Sequence, residues 1–297
     1  MKEKRETLFF EVKPHVWRLE EEGQSFAVKR YKDSKGAGKV RKLHNQLQAV
    51  GFPYIAPLTD KGTDHLIIQP WLSGTRPVDY ASITDRRASL RSLNALHATR
   101  EVIDWNSVTY LPRFNLHRKW VRRLERFRQQ EELIAGHIGT SAFSDICLYA
   151  EEALLRLEGV SEKEEVPTIL HGDVVHHNLL AADDGTVYLI DFDLAAVGSA
   201  SAEIALWLHR VLPHMAYDGE QLFRELPRLQ ELSEEALIML QYPNEVMREW
   251  LYFAGLPDPG RHRIRNHLVQ FTKQGLHAWP GLCRFSDSQL QRKQDRT

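Results

Sequence analysis

The chain has 297 residues, and its net charge of −1 at pH 7 gives no overall field that would favour nucleic acid or an anionic membrane surface. Hydrophobic residues make up 42% and charged residues 27% of the chain, as is ordinary for a globular protein with a sizeable core. Cys147 and Cys283 lack paired spacing, which indicates reduced thiols. We therefore expect a cytoplasmic protein with no signal peptide, no membrane span and no nucleic-acid partner.

The first part of the chain is predicted to be rich in strands. Short β-prone runs at 8–12, 16–19 and 26–31 are separated by turn residues, as in an antiparallel meander. Residues 38–50 then carry apolar side chains at helical spacing. Two further short runs, at 55–58 and 65–68, predict two more strands.

A segment with Pro70 and Gly74 interrupts the pattern, and we place a hinge near residues 68–73. Beyond it helical periodicity dominates, with Thr84 as a candidate cap of the first helix. The predicted helices cover 84–97, 115–133, 143–157, 200–212, 219–226, 233–240, 243–254 and 261–279. The last dozen residues are polar and predicted to be frayed. The expected organisation is an N-lobe at 1–70 and a C-lobe at 71–297.

Three oxygen-bearing side chains stand at informative intervals in the second half of the chain. Asp173 is followed five residues later by Asn178, and thirteen residues after that by Asp191 at the end of an apolar run. Phosphoryl transfer needs an acid that orients the attacking hydroxyl, and oxygen ligands that hold Mg²⁺ against nucleotide phosphates. The spacing predicts Asp173 in the first role and Asn178 with Asp191 in the second.

These motifs resemble the protein-kinase-like fold. The segments that carry the resemblance are Ala27-Val28-Lys29, His171-Gly172-Asp173 with Asn178, and Asp191-Phe192-Asp193. The His-Gly-Asp form and the Leu93–His97 helix resemble the aminoglycoside phosphotransferase and choline kinase branch, and the 171–180 string is similar to spore-coat-associated kinase-like proteins. The resemblance implies a bilobal α+β fold with a small antiparallel-sheet N-lobe, which contains one helix, and a larger, mainly helical C-lobe.

The resemblance also implies a reaction, the transfer of the γ-phosphoryl group of ATP to a hydroxyl of a small molecule with Mg²⁺ as cofactor. Asp173 would be the catalytic carboxylate, and Lys29 would neutralise the α- and β-phosphates. Asn178 and Asp191 would hold the metal, while Asp193 would bind a second metal or cap the next segment. The nucleotide's adenine would lie against the hinge, with Gln69, Trp71 and Leu72 as the binding residues.

Three histidines, His171, His176 and His177, invite a zinc interpretation, but no cysteine or fourth ligand has familiar spacing. The resemblance implies instead that His171 is structural and packs behind the metal-binding Asp191. His97 is predicted to be a buried, hydrogen-bonded helix residue.

Two departures from the kinase-like pattern leave a non-catalytic alternative open, such as a structural or spore-coat component. The first turn is Lys13-Pro14-His15 rather than a glycine-rich loop, and the helix at 38–50 has no acidic residue to hold Lys29. Its nearest polar residues are His44, Asn45 and Gln46. Our hypothesis is that Lys29 contacts Asp191 when no nucleotide is bound.

The sequence leaves the acceptor and the oligomeric state open. Tyr242, Trp250, Tyr252 and Trp279 would suit a cage for a quaternary ammonium, or a hydrophobic core. The acidic residues between 218 and 235 would suit a cationic substrate, or a solvated helix face. A basic face around Arg118, Arg122 and Arg126 is interpreted as solvated surface, because the chain is nearly neutral.

Overall fold

The computed structural model describes residues 7–160 and 166–295. The chain divides into two compact units. The strand-rich unit runs to Asp79 and adds residues 84–113 and 167–197, whereas the helical unit comprises 80–83, 114–166 and the chain from Gly198 onward. The Asp173, Asn178 and Asp191 motif therefore belongs to the same unit as the N-terminal strands.

The strand-rich unit begins with a four-stranded antiparallel sheet in the order β1-β2-β3-β4. The strands are β1 (Thr7–Lys13), β2 (Val16–Glu21), β3 (Gln24–Arg30) and β4 (Leu66–Pro70). Their predicted counterparts are confirmed, but the strand predicted at 55–58 is wrong. That segment is irregular and its Ile55 and Ala56 are buried. Pro53 and Pro57 flank these two residues and lack the backbone N–H that a strand ladder needs.

Helix α1 (Ser34–Ala49) packs on this sheet. It begins four residues before the predicted start because the Asp33 side chain accepts a hydrogen bond from the Gly36 N–H, which caps the helix. Ala37 and Val40 of α1 pack against Ile67 of β4. The opposite face of the sheet has its own apolar cluster, formed by Leu19, Phe26, Val28 and Ile68.

The same unit contains α2 (Ile83–Ala98) and two small sheets. Strands β5 (Arg76–Pro77), β7 (Leu179–Ala181) and β8 (Val187–Leu189) form one antiparallel sheet, and β6 (Thr168–Leu170) pairs with β9 (Ala196–Gly198). The Ser92 hydroxyl of α2 donates to the Val187 carbonyl across 2.7 Å, which fixes α2 against β8. The predicted cap at Thr84 is wrong, since α2 begins at Ile83 and Thr84 lies inside it.

The helical unit is built from eight α-helices in the described part of the chain. They are α3 (Leu116–Arg128), α4 (Glu131–Ile138), α5 (Thr140–Gly159), α6 (Ala200–Val211), α7 (Gly219–Glu225), α8 (Glu234–Met239), α9 (Asn244–Gly255) and α10 (Asp258–Gln294). The single helix predicted at 115–133 is wrong, because Gln130 leaves the helical conformation and a new helix begins that buries Ile134. None of the helices in the described residues is both long and apolar enough to span a membrane.

Helix α10 extends well beyond the predicted end at Trp279. The prediction that the last dozen residues are frayed is wrong as far as Gln294, where α10 ends. Pro280 lies inside the helix and removes one backbone donor. The helix continues past it because Phe285, Ser286 and Leu290 are buried, so tertiary packing outweighs the polar composition.

Three of the four aromatic residues considered for a cationic cage are core residues. Tyr242 stacks on Trp120 at 4.2 Å and donates its hydroxyl hydrogen to the Trp120 carbonyl. Trp250 and Trp279 are also buried, with their indole N–H groups hydrogen-bonded, whereas Tyr252 is exposed. Tyr242, Trp250 and Trp279 are therefore part of the hydrophobic core, and the four residues do not form a cage for a cation.

Two of the acidic residues between 218 and 235 have partners within their own helix, and three arginines of α3 are exposed. Asp218 caps α7 by accepting from the Gln221 N–H, and Glu220 pairs with Arg224 one turn along the same helix. On α3, Arg118, Arg122 and Arg126 are exposed, as predicted for a solvated face.

Candidate active site

The turn that carries Asp173 depends on a glycine. Gly172 follows β6 with φ of +82°, in the left-handed region that favours glycine. A Cβ atom on this residue would lie 2.0 Å from the Leu194 carbonyl oxygen, far inside van der Waals contact. Gly172 therefore allows the Asp173 segment to approach the chain that follows Asp191.

His171 joins the two segments by hydrogen bonds, in the structural role expected of it. Its Nδ1 accepts from the Asp173 N–H at 3.3 Å, so the other ring nitrogen, Nε2, carries the proton and donates to the Ile190 carbonyl at 2.8 Å. The ring is fully buried and packs against Phe192 with 4.7 Å between ring centroids. These contacts set the separation between the Asp173 turn and the Asp191 segment.

Asn178 is held in one orientation by Asp173. Its Nδ2 group donates to both the main-chain oxygen and the Oδ2 atom of Asp173, each across 3.1 Å. The Asn178 carbonyl in turn accepts from the Ile190 N–H at 3.0 Å, beside Asp191. The amide nitrogen is thus used within the site, and the amide oxygen is the atom that remains suited to a cation.

Asp191 has a left-handed backbone conformation, with φ of 66° and ψ of 60°. A non-glycine residue in this region is strained, and such residues cluster at functional sites. Asp191 comes two residues after β8, and its carboxylate receives two cations. Lys29 donates to Oδ1 across 2.6 Å, and Lys13 donates to Oδ2 across 3.1 Å.

Lys29 is held by two carboxylates. Besides Asp191, it contacts Oδ2 of Asp193 at 2.6 Å. The other oxygen of Asp193 accepts from the Tyr31 hydroxyl at 2.8 Å, and its main-chain oxygen accepts from Lys39 of α1. The hypothesis of a contact between Lys29 and Asp191 is confirmed, and Asp193 shares the role.

The charges in this cluster shift the pKa values of several groups. Burial raises the pKa of the Asp191 carboxyl, but the hydrogen bond and the charge of Lys29 outweigh it, so the net shift is downward. Burial lowers the pKa of Lys39, and the neighbouring charge of Lys29 lowers it further against the opposing effect of Asp193. Burial together with the Asp193 charge raises the pKa of Tyr31 well above its ordinary value, which keeps its hydroxyl as a donor.

The polar residues of α1 do not hold Lys29. His44 is buried edge-on against Phe192, with 5.4 Å between ring centroids, and burial lowers its pKa to about 4. The Gln46 side chain accepts from the Tyr110 hydroxyl. Lys39 is the residue of α1 that reaches the cluster, so this helix contributes a positive charge where the kinase-like pattern has a negative one.

The predicted hinge residues differ in their orientation. Gln69 pairs with Ala27 across the sheet and therefore shares a face with Lys29, but its Nε2 group donates to the Ala56 carbonyl at 2.8 Å. The main-chain N–H of Trp71 donates to the Ser25 carbonyl. The Arg18 guanidinium lies over the Trp71 ring, with 5.4 Å between its central carbon and the ring centroid. The Leu72 carbonyl accepts from the Thr75 hydroxyl.

The zinc interpretation finds no support. Among the described residues, no group of three or more His, Cys, Asp or Glu side chains is placed to hold a metal ion. The rings of His176 and His177 pack against each other at 5.2 Å, while His171 is occupied by the bonds given above. His97 is buried, as predicted for a helix residue, and its carbonyl accepts from the Thr168 hydroxyl.

The donor set of the cluster fits Mg²⁺. The carboxylates of Asp191 and Asp193 and the amide oxygen of Asn178 are hard oxygen ligands of the kind this ion prefers. The ammonium groups of Lys29 and Lys13 contact these carboxylates, and Lys29 holds the pKa of the Asp191 carboxyl below its ordinary value. A bound Mg²⁺ would therefore replace one set of cationic partners by another.

Sequence reasoning missed Tyr31 and Lys39 and gave Lys13 no role in the site. Tyr31 lies two residues beyond Lys29, so strand alternation placed both side chains on one face. Lys39 had no comparable signal, because its partner is a main-chain oxygen 154 residues away.

The α+β architecture and the lysine–carboxylate cluster beside a His-Gly-Asp turn define a protein-kinase-like phosphotransferase. Residues 12–234 match the APH family model, described as the phosphotransferase enzyme family. The chain belongs to this family. No curated protein matches it in sequence.

Solved structures agree with this fold. An aminoglycoside phosphotransferase from Alicyclobacillus acidocaldarius has a TM-score of 0.75 at 16% identity, over 96% of this chain and 92% of its own. An ethanolamine kinase from Plasmodium vivax has a TM-score of 0.56 at 11% identity, over 94% and 83%. The ADP-bound aminoglycoside phosphotransferase APH(2'')-Ib has a TM-score of 0.55 at 14% identity, over 93% and 95%. These likenesses confirm the predicted protein-kinase-like fold.

We predict that Gly172→Ala destabilises the protein much more than Gly185→Ala. Both glycines have positive φ, but a Cβ at Gly185 meets nothing within 4 Å. The shared conformational cost is about 1 kcal/mol, and the clash with Leu194 adds on the order of 2 kcal/mol for Gly172→Ala alone. Urea unfolding of both variants measures the difference. Equal losses of unfolding free energy would show that the turn moves to admit the methyl group.

We predict that His44 makes the protein less stable as the pH falls below 6.5. The pKa of His44 in the folded state, about 4, lies below its ordinary value of 6.5, so only the unfolded state gains a proton in this range. Its contribution is complete above pH 6.5 and has fallen by about 2 kcal/mol at pH 5. The free energy of unfolding should therefore differ less between pH 8 and pH 5 for His44→Gln than for the wild type. Buried His209, whose pKa is also lowered to about 4, contributes the same pH dependence to both proteins. An unchanged difference would contradict a neutral His44.

Proposed function

We propose that this chain is a small-molecule kinase that transfers the γ-phosphoryl group of ATP to a hydroxyl, with Mg²⁺ as cofactor. The observation that carries the proposal is the assembly of Asp173, Asn178 and Asp191 around one turn, with Lys29 paired to Asp191 across 2.6 Å. These are the parts that phosphoryl transfer requires, since its catalysis rests on positioning and charge stabilisation.

Nucleotide binding is supported by Lys29 and by the hinge. Lys29 sits on a central strand of the sheet, and its ammonium group would bind the α- and β-phosphates. Gln69 lies on the neighbouring strand β4, Trp71 and Leu72 follow the end of that strand, and all three would lie beside the adenine. The ADP-bound state of APH(2'')-Ib, a protein of the same fold, supports a nucleotide in this role.

The metal would be held by Asn178 and Asp191, with Asp193 as a further ligand. Bound Mg²⁺ supplies charge neutralisation on the phosphoryl oxygens. This chain's own contribution is to orient the ligands. Asp173 fixes the Asn178 amide, and His171 fixes the position of the Asp191 segment through Ile190.

Asp173 would act on the acceptor. Its carboxylate would accept a hydrogen bond from the acceptor hydroxyl and orient the oxygen toward the γ-phosphorus. As the new P–O bond forms, the bond to the bridging oxygen of ATP breaks, ADP leaves, and the hydroxyl proton passes to Asp173. The contact of Asp173 with the Asn178 amide links the acceptor and metal sides of the site.

The partners we propose are a nucleotide and a small-molecule acceptor. Solved proteins of the same fold include enzymes named for aminoglycosides and for ethanolamine. We propose no narrower acceptor class here, because the aromatic residues considered for a cationic substrate are mostly buried in the core. Both thiols are free, which supports our proposal that the protein works in the cytoplasm.

We predict that Asp173→Asn lowers phosphoryl transfer at least about 100-fold while nucleotide affinity changes little, because the residue acts on the acceptor. The control is Asp183→Asn, which changes an exposed carboxylate in the turn between β7 and β8. Turnover is measured as ADP release against a library of hydroxyl metabolites. Turnover of Asp173→Asn within a few-fold of wild type would refute the role. A wild type with no turnover and no thermal shift from ATP and Mg²⁺ would favour the non-catalytic alternative.

We predict that Asp191→Ala abolishes the dependence of nucleotide binding on Mg²⁺. Removing the carboxylate deletes a metal ligand and also releases Lys29 and Lys13 from one of their partners. Calorimetry with ATP, in the presence and absence of Mg²⁺, measures the effect. We expect the two affinities to converge for Asp191→Ala and to stay distinct for Asp183→Ala. Metal dependence retained in Asp191→Ala would place the metal elsewhere.

A further inference from the structure

The turn between β1 and β2 has unusual chemistry for its place in the fold. In protein kinases a glycine-rich turn covers the nucleotide phosphates. In this chain the turn is Lys13-Pro14-His15, where Pro14 has no backbone N–H to offer an anion and His15 takes φ of 69°. Of the two turn residues between β1 and β2, only His15 therefore has a main-chain N–H.

The backbone directs a side chain toward the site instead. The pairing of β1 with β2 is irregular between Glu11 and Lys13, since Glu11 opposes Trp17 while Lys13 opposes Val16. Two steps along β1 thus match one step along β2, and this extra residue forms a β-bulge. A β-bulge changes the direction of the side chains next to it. The carbonyl of His15 accepts from the Arg30 N–H at 2.9 Å, which anchors the turn to β3.

Lys13 ends on the carboxylate that the metal would use. Its ammonium lies 3.1 Å from Oδ2 of Asp191, while Lys29 occupies Oδ1 of the same group. Lys39 contributes a third ammonium at the main chain of Asp193. Three lysines thus meet the two aspartates of the segment after β8, and ammonium groups are the donors that suit phosphate oxygens.

We propose that Lys13 is a phosphate-binding residue that takes the place of the glycine-rich turn. The inference rests on the function proposed above. Once the Asp191 carboxylate serves Mg²⁺, the Lys13 ammonium loses its partner there and binds the terminal phosphate oxygens of the nucleotide. The Lys13 side chain is 51% exposed, so it moves between these two partners without breaking core packing.

A second role for the same contact makes an opposite prediction. If Lys13 only blocks the Asp191 carboxylate, its removal frees a metal ligand and strengthens the binding of Mg²⁺ with ATP. If Lys13 binds phosphate, its removal weakens that binding, and the loss grows with the number of phosphates on the ligand. The direction of the change therefore decides between the two roles.

The test compares Lys13→Met and Lys13→Arg with wild type by calorimetry, using adenosine, ADP and ATP in the presence of Mg²⁺. The control is Lys35→Met, an exposed lysine near the start of α1. We expect Lys13→Met to weaken ATP binding by about tenfold and ADP binding less, because charge-assisted contacts to phosphate are lost. Adenosine affinity should be unchanged, Lys13→Arg should retain most of the affinity for ATP, and Lys35→Met should match wild type.

Two different failures are distinguishable. If wild type binds ATP with Mg²⁺ and Lys13→Met binds it equally or more tightly, the inference about Lys13 is overturned and the proposed function stands. An equal loss for adenosine and ATP also overturns it, because the effect would then be structural. If wild type binds no nucleotide with Mg²⁺ present, the proposed function and the inference fall together.

Discussion

The site is organised around the pairing of Lys29 with Asp191 and Asp193. The Lys29 side chain is partly buried, with 22% of it exposed, so leaving its ammonium group without a counter-charge would destabilise the fold. Helix α1 supplies no carboxylate, and the counter-charge comes from the segment that follows β8. The position of Lys29 is therefore tied directly to the Asp191–Asp193 segment, without an intermediate residue on a helix.

Under the proposed function, this arrangement would make the binding of phosphate and the binding of Mg²⁺ exchange reactions. The oxygen atoms that suit Mg²⁺ already contact ammonium groups, and those same ammonium groups suit phosphate. A complex of Mg²⁺ and nucleotide would satisfy the carboxylates and the ammonium groups together. A nucleotide alone would bring its phosphates close to the carboxylates, and a metal ion alone would lie close to the ammonium groups. Lys39 strengthens this coupling, because it adds positive charge near Lys29 from the helix that lacks an acid.

The sequence was sufficient to predict the residues whose geometry is local. Asp173 and Asn178 lie within one turn, and a short β-hairpin brings Asp191 back beside them, so spacing along the chain stands in for distance. Lys39 and Lys13 reach the cluster from 154 and 178 residues away through long side chains, and no spacing reports such contacts. Tyr31 could have been indicated by its position two residues beyond Lys29, since alternate strand residues share a face. The break at Gln130 depended on the burial of Ile134, which periodicity alone does not reveal, whereas Pro53 and Pro57 were a signal in the sequence against a strand at 55–58.

The backbone requirements of this site are stricter than its requirements for charge. This difference explains how the fold tolerates a helix α1 without an acidic residue and a β1–β2 turn without glycines. Gly172 and Asp191 meet requirements of the main chain, namely a close approach to Leu194 and a left-handed turn, and both requirements act whatever the surrounding charges are. Charges are less constrained, because a flexible side chain reaches the same point from several positions. Helix α1 has no carboxylate and Asp193 supplies one to Lys29, while the turn that contains Pro14 has a lysine beside its bulge. In this chain the counter-charges of the site thus come from the segment after β8 and from the β1–β2 turn rather than from α1.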